Sequence, residues 1–218
     1  DADIDHTLGL LVLREGSPLT IYATSPIHYA LMEGLNVPST LASYCPVEWR
    51  NPALELSTLR YADGTASGLR YAAFPVAGKP PRYLEHRVAS QTGERVGYRF
   101  HDEKTGGRLL FLPGMAVLDE AVKEQMRDCD GLLLDGTFWS EQEMQERNVG
   151  TTRAGQMGHL PVGGPQGSLQ YIAALPIRHK IYTHINNTNP MLREDSPEYA
   201  TVKKAGVQIG WDGLEFVL

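Results

Sequence analysis

The chain opens on Asp1-Ala2-Asp3-Ile4-Asp5-His6, and no other stretch limits the possible folds as strongly. An adjacent carboxylate and imidazole stand where an alternating segment gives way to the helical spacing of Leu8, Leu11 and Val12. A carboxylate and a neutral imidazole suit zinc, iron or manganese. Neighbouring residues can share one ion only where the backbone turns between them, which Thr7-Leu8-Gly9 permits. The plainer alternative is that Asp5 caps the helix and His6 lies on the surface. Strand alternation would place Asp1, Asp3 and Asp5 on one face. Asp3 is then a candidate extra ligand, or an acceptor that orients His6. Two adjacent ligands do not complete a metal site, so the fold must bring further ligands from far away in sequence.

The 218 residues suit one domain with a substantial core, 42% of them being hydrophobic. A net charge of -6 argues against nucleic acid or an anionic membrane as partner. No apolar run has the length of a membrane span. The two cysteines, Cys45 and Cys129, form no disulfide framework and suit a reducing cytoplasm. No strand stands ahead of the ligand motif, so an N-terminal segment is expected to precede it.

Along the chain, a helix is predicted from Thr7 to Glu15 and a strand from Leu19 to Thr24. Ser25-Pro26 opens a helix that stops at Gly34. Residues 47–49 and 54–56 read as short strands, and Leu69 to Val76 as a clearer one. Val96 to His101 and Arg108 to Leu112 pair as a hairpin. Asp119 to Arg127 reads as an amphipathic helix, Gly131 to Asp135 as a buried strand, and Ser140 to Arg147 as a charged helix. A Gly-rich segment reaches Gly167. It is followed by a helix over 168–175, a strand over 180–183, a helix from Ser196-Pro197 and a late strand over 207–211.

Several residues could complete the site. His184 ends a predicted strand, ahead of a loop containing Asn186, Asn187 and Asn189; Asn186 and Asn187 are candidate substrate ligands. A strand-end histidine bonded to backbone is the structural alternative. His159, between Gly158 and Leu160, reads as an exposed loop residue able to move protons. Asp135 tips a buried strand toward a site, or caps the segment that follows. His28, His86, His101 and His179 read as surface or packing residues. Phosphate loops, dinucleotide fingerprints and nucleophile motifs are absent.

Taken together, Asp5-His6-Thr7, Phe111-Leu112-Pro113-Gly114, Leu134-Asp135-Gly136-Thr137, Met157-Gly158-His159-Leu160, His184-Ile185-Asn186-Asn187-Thr188-Asn189-Pro190, Glu194-Asp195-Ser196-Pro197 and Asp212-Gly213 resemble the PQQ biosynthesis protein B family over essentially the whole chain. The string from His184 to Pro190 is the specific part. The resemblance implies an α/β fold of the metallo-β-lactamase superfamily, an αββα four-layer sandwich, here one domain over 1–218 lacking its opening strands.

Hydrolases of that superfamily carry His-x-His-x-Asp-His, and here Asp1 and Asp3 replace the two leading histidines. The loop holding another hydrolase histidine reads Pro75-Val76-Ala77-Gly78, and the bridging aspartate is replaced at Leu112-Pro113-Gly114. A two-metal site needs those groups. Asp5, His6 and His184 remain, a set resembling the facial triad of mononuclear iron oxygenases. The resemblance therefore implies an iron(II) hydroxylase in PQQ biosynthesis. Its substrate would be the tyrosine ring of a cross-linked Glu-Tyr precursor, with molecular oxygen as co-substrate. Asp3 would assist the metal, and His159 and Asp135 would serve catalysis. The alternatives are a zinc hydrolase and a carrier of PQQ or its precursor that grips carboxylates with Lys and Arg. A homodimer through an unpaired strand edge is compatible with the pattern.

Overall fold

The structure is a computed structural model describing residues 1–218. Its centre is a seven-stranded mixed sheet in which every strand neighbours the next in sequence. The strands are β3 (Ser57–Arg60), β4 (Ala66–Pro75), β5 (Val96–Asp102), β6 (Arg108–Leu112), β7 (Gly131–Asp135), β8 (His179–Thr183) and β9 (Gln208–Ile209). The first four run antiparallel through turns, and β6 to β9 run parallel. Parallel neighbours need crossovers, and helices fill them. These are α4 (Glu120–Met126), α6 (Ser168–Ala173) and α7 (Pro197–Lys204). Two start at side-chain caps: Asp119 accepts from the Val122 amide, and Ser196 from the Tyr199 amide.

These helices seal one core. Val122 and Met126 of α4, Leu169 and Ile172 of α6 and Val202 of α7 close over Leu110, Leu112, Leu132, Leu134 and Tyr182. A second core gathers Ile27, Leu31, Val37, Leu41, Leu84 and Val96. It lies under α1 (Ile4–Val12), α2 (Ser25–Tyr29), a π turn over Ala30–Gly34 and α3 (Val37–Ala42). Beside these helices β1 (Leu19–Tyr22) pairs in parallel with β2 (Val47–Arg50) as a separate two-stranded sheet. Helices thus flank a central sheet, in the metallo-β-lactamase-like arrangement that was expected. No helix is long and apolar enough to cross a membrane.

Some local expectations need correction. Helix α1 begins at Ile4, not Thr7, so Asp5 and His6 occupy its first turn and Asp1 to Asp3 form no strand. The capping of α2 falls on Thr24, with Pro26 at the second helical position. Helix α3 was missed: it opens on a left-handed Asn36 and contains a proline, so its helical spacing is short and broken. Residues 54–56 are not a strand; pairing begins at Ser57, set by its partner Tyr71. The charged helix at 140–147 shrinks to α5 (Glu143–Glu146), because Glu143 turns inward. Its carboxylate accepts from the Trp139 amide and from the Thr188 hydroxyl, which ties the segment after β7 to the loop after β8.

Candidate metal centre

The carboxyl ends of the parallel strands β7 and β8 meet the first turn of α1. Gly136 follows β7, and an added Cβ there would lie 2.9 Å from both Tyr182 Cβ and Met191 Cε, so only glycine lets the chain turn so closely against β8. His184 follows β8 with φ +51°, a left-handed conformation uncommon outside glycine. It is held there by Thr137, whose hydroxyl lies 3.0 Å from the His184 carbonyl and 2.7 Å from its Nδ1.

With Nδ1 turned to Thr137, Nε2 of His184 faces Asp5 Oδ2 at 3.0 Å. His6 lies edge-on to the same ring, the centroids 4.5 Å apart. Its Nδ1 sits 2.7 Å from Asp1 Oδ1, which leaves Nε2 buried with no hydrogen-bond partner, 3.7 Å from Asp5 Oδ2. The ligand atoms of Asp5, His6 and His184 all lie within 4.8 Å of one another. An orphaned buried imidazole nitrogen is costly in the absence of an electrophile, so this trio fits a metal ion, and the Asp1–His6 pairing is of the kind that orients a metal-binding ring.

Asp135, His159 and His184 form a second cluster of the same size, but the Asp135 carboxylate and the Nδ1 atoms of both rings are engaged with one another and with Thr137. Asp135 is fully buried. It accepts from the Met115 amide at 2.9 Å, from His159 Nδ1 at 2.7 Å, and from the Thr137 amide and hydroxyl at 3.1 and 2.5 Å. Burial alone would raise its pKa, yet the hydrogen bonds from His159, His184 and Thr137 hold the carboxyl far below the usual range. Asp135 therefore caps no helix. It is the anionic post on which Thr137 and the two imidazoles are mounted. His159 is buried rather than exposed, edge-on to Phe138, and still borders the cleft.

Asp3 departs from its expected role. Its carboxylate pairs with Arg95 Nη2 at 3.1 Å, and it is Asp1 that approaches His6. Arg95, 3% exposed, also lies 3.1 Å from Asp1 Oδ2 and donates from Nη1 to the Gly158 carbonyl at 2.6 Å. Asn186 lines the cleft and donates to Thr188. Asn187 is exposed and outside the cleft lining, while Asn189 is a buried brace that donates to the Gly136 carbonyl. Arg95 and Thr137 were not foreseen. Arg95 belongs to no local motif, and Thr137, though in the string Leu134-Asp135-Gly136-Thr137, carried no role there. The cleft itself holds about 860 Å³. The β4–β5 loop brings Lys79, Arg82 and His86 to its wall, where His86 is an exposed surface residue.

The centre gives the metal-free protein a definite pH response. Burial and the neighbouring His184 lower the His6 pKa from 6.5 to about 4. A base held neutral in this way contributes stability above its ordinary value, and that stability is lost as pH falls from 6.5 toward 4. His184 has the opposite sign. Burial opposes its protonation, but Asp135 and Asp5 outweigh that and raise its pKa, so its contribution is complete at low pH and is lost as pH rises. Melting temperatures of the metal-free protein should therefore fall between pH 6.5 and 4, and His6→Asn should flatten that limb. An unchanged limb would remove His6 as its cause.

The fold and this centre define a β-lactamase superfamily domain, and residues 1–185 match the model of that domain. Coenzyme PQQ synthesis protein B of Pseudomonas savastanoi pv. phaseolicola is 40% identical, covering 100% of this chain and 71% of that protein. Its counterpart in Pseudomonas putida strain KT2440 is 38% identical with the same coverage. The crystal structure of Zn(2+)-bound PqqB from Methylobacterium extorquens superposes with a TM-score of 0.86 at 34% identity, over 100% of this chain and 71% of that one. A diphosphatase from the PhnP family, at 20% identity and a TM-score of 0.52 over 90% of this chain and 56% of that one, shares the fold alone. The chain belongs to the coenzyme PQQ synthesis protein B family.

Proposed function

We propose that the protein acts in PQQ biosynthesis, in the bacterial cytoplasm, as an iron(II)-dependent oxygenase that hydroxylates the tyrosine ring of a Glu-Tyr-derived precursor. The observation that carries the reading is the convergence of one carboxylate and two imidazoles, with His6 Nε2 buried and unpartnered, beside an open cleft lined by Asp5 and His184. Asp5, His6 and His184 would hold the ion. A divalent iron in such a set supplies the redox chemistry that no protein side chain provides. The chain's own residues do the rest. Thr137 and Asp135 fix the His184 ring with Nε2 turned toward Asp5, where it would hold the ion. His159, at the cleft wall and bonded to Asp135, is placed to take the phenolic proton. Met144, Met157 and Ile185 offer the aromatic ring an apolar, polarisable surface, and Asn186 a polar contact.

Charge favours an acidic substrate. Lys79 is neutralised by Glu85 at 2.8 Å and Arg95 by Asp1 and Asp3, whereas Arg82 holds no carboxylate. Arg82→Gln should weaken binding of a Glu-Tyr peptide to the zinc-loaded protein by about tenfold, the scale of one charge-assisted hydrogen bond. It should leave a Gln-Tyr amide unaffected. Calorimetry with both peptides checks this, and equal losses for the two would contradict it.

Oxygen uptake by the anaerobically iron-loaded protein, with the tyrosine-containing precursor, tests the function as a whole. Hydroxylated product and stoichiometric oxygen consumption are expected; tight precursor binding without turnover would favour a carrier. A zinc hydrolase draws on the zinc in the Methylobacterium relative. Against it stands the second cluster, where the Asp135 carboxylate is engaged by Thr137 and His159.

A further inference from the structure

By the resemblance, two positions, Asp1 and Asp3, and two segments, Pro75-Val76-Ala77-Gly78 and Leu112-Pro113-Gly114, stand where the two-metal hydrolases of this superfamily carry ligands. They are scattered through the sequence, yet in the fold all of them reach one side chain, Arg95. Asp1 Oδ2 and Asp3 Oδ2 each lie 3.1 Å from its guanidinium. A Cβ added at Gly78 would fall 2.7 Å from Arg95 Cβ, and one at Gly114 would fall 3.1 Å from its Cδ. Gly158 completes the cradle: its Cβ would meet Nη1 at 2.9 Å, and its carbonyl accepts from that same nitrogen. The guanidinium is 3% exposed.

We propose that Arg95 is an internal cation standing in place of a second metal ion, and that through Asp1 it is a positioning residue for His6. The inference rests on the reading of Asp5, His6 and His184 as ligands of a single ion. The replaced positions do not fit a metal. Glycines supply no side-chain ligand, and a guanidinium has only N–H donors and no lone pair with which to coordinate. The two carboxylates that could have bound an ion are paired with a fixed charge instead, and arginine stays charged at every working pH. The exchange accounts for each loss at once. Histidines at positions 1 and 3 would face a cation, so carboxylates stand there. Side chains at 78, 114 and 158 would collide with the arginine, so glycines stand there.

The chain of contacts also has a direction. Arg95 Nε makes an ion-pair contact with one oxygen of Asp1 at 3.1 Å, without hydrogen-bond geometry, and the other oxygen lies 2.7 Å from His6 Nδ1. A carboxylate at that distance favours a neutral ring protonated on Nδ1, which would leave the unpartnered Nε2 free to hold an ion. A permanent charge does this without a second metal to acquire or lose, and it leaves one metal with open positions rather than a bridged pair.

Zinc titration of the wild type and of Arg95→Ala, with folding confirmed by circular dichroism, tests the inference. The wild type is expected to take up one zinc per chain even in excess. In Arg95→Ala two outcomes support the proposal: binding of a second ion by the freed carboxylates, or a loss of at least tenfold in affinity for the first. Guanidinium chloride at about 20 mM, far below denaturing concentrations, should refill the cavity and restore wild-type stoichiometry and affinity, whereas equal sodium chloride should not. A merely structural arginine would show no such ion-specific rescue. Should Arg95→Ala fail to fold, Arg95→Lys decides. It keeps the charge without the planar fork, and should hold one zinc with weakened affinity. Two zincs in the wild type, or variants with wild-type stoichiometry and affinity, overturn the proposal. Failure of the ligand assignment shows separately, as zinc binding that survives His184→Ala.

Discussion

His184→Ala is expected to strip the metal from an otherwise folded protein. Asp5 and His6 are neighbours on one helical turn, and His184 is the only ligand that arrives from the sheet, so its loss opens the site to a two-donor remnant. A metal content near one per chain should fall close to zero after dialysis. The affinity loss should be well beyond the 10- to 100-fold typical of residues that merely support a ligand, on the order of a thousandfold. The fold should survive, because the ring lies at the cleft edge and not among the apolar residues of either core. Metal analysis beside a far-ultraviolet spectrum checks both halves. Full metal retention in a folded His184→Ala protein would refute the ligand set and, with it, the oxygenase.

Asp135→Ala should produce the largest loss of stability of any single change at the centre. The carboxylate is fully buried and accepts from two backbone amides, a hydroxyl and an imidazole. Alanine leaves all four donors facing a void, and breaking a buried charged network from one side costs about 3–5 kcal/mol. For a chain of this size that corresponds to roughly 10 °C in melting temperature. Asp135→Asn keeps the shape but turns one acceptor into a donor, and should recover only part of the loss. Urea denaturation measures both. A cost below about 1 kcal/mol for the alanine variant would mean that the network is dispensable and that Thr137 fixes the His184 ring without it.

These two residues illustrate how unevenly the site was legible. His184 ends a β-rich run and precedes an unusual asparagine loop, and its place beyond a buried strand follows from pattern alone. Asp135 was visible for the same reason, as the polar end of Gly131-Leu132-Leu133-Leu134. Its function was not visible, because no local rule distinguishes a helix cap from a carboxylate that also accepts from Met115 and His159, 20 and 24 positions away. Asn187 shows the reverse error. Three asparagines within four residues look equivalent in sequence, but the turn at His184 sends Asn186 into the cleft, Asn187 to solvent and Asn189 into the interior. His159 misled through its glycine neighbour. Gly158 turns the chain at φ +87°, and that turn carries the ring inward.

By itself the sequence determined the alternation of strands and helices in the second half, the adjacency of Asp5 and His6, and the family string from His184 to Pro190. Each of these is local: hydrophobic period, turn chemistry and the side chains at strand ends act over a few residues. Only the tertiary structure decided that Asp1 orients His6, that Asp3 belongs to Arg95, and that three distant glycines clear the space which that arginine fills. Those outcomes depend on pairwise charge and steric exclusion between residues up to 94 positions apart (Asp1 and Arg95). Such interactions carry no period and leave no trace in any short window of the chain.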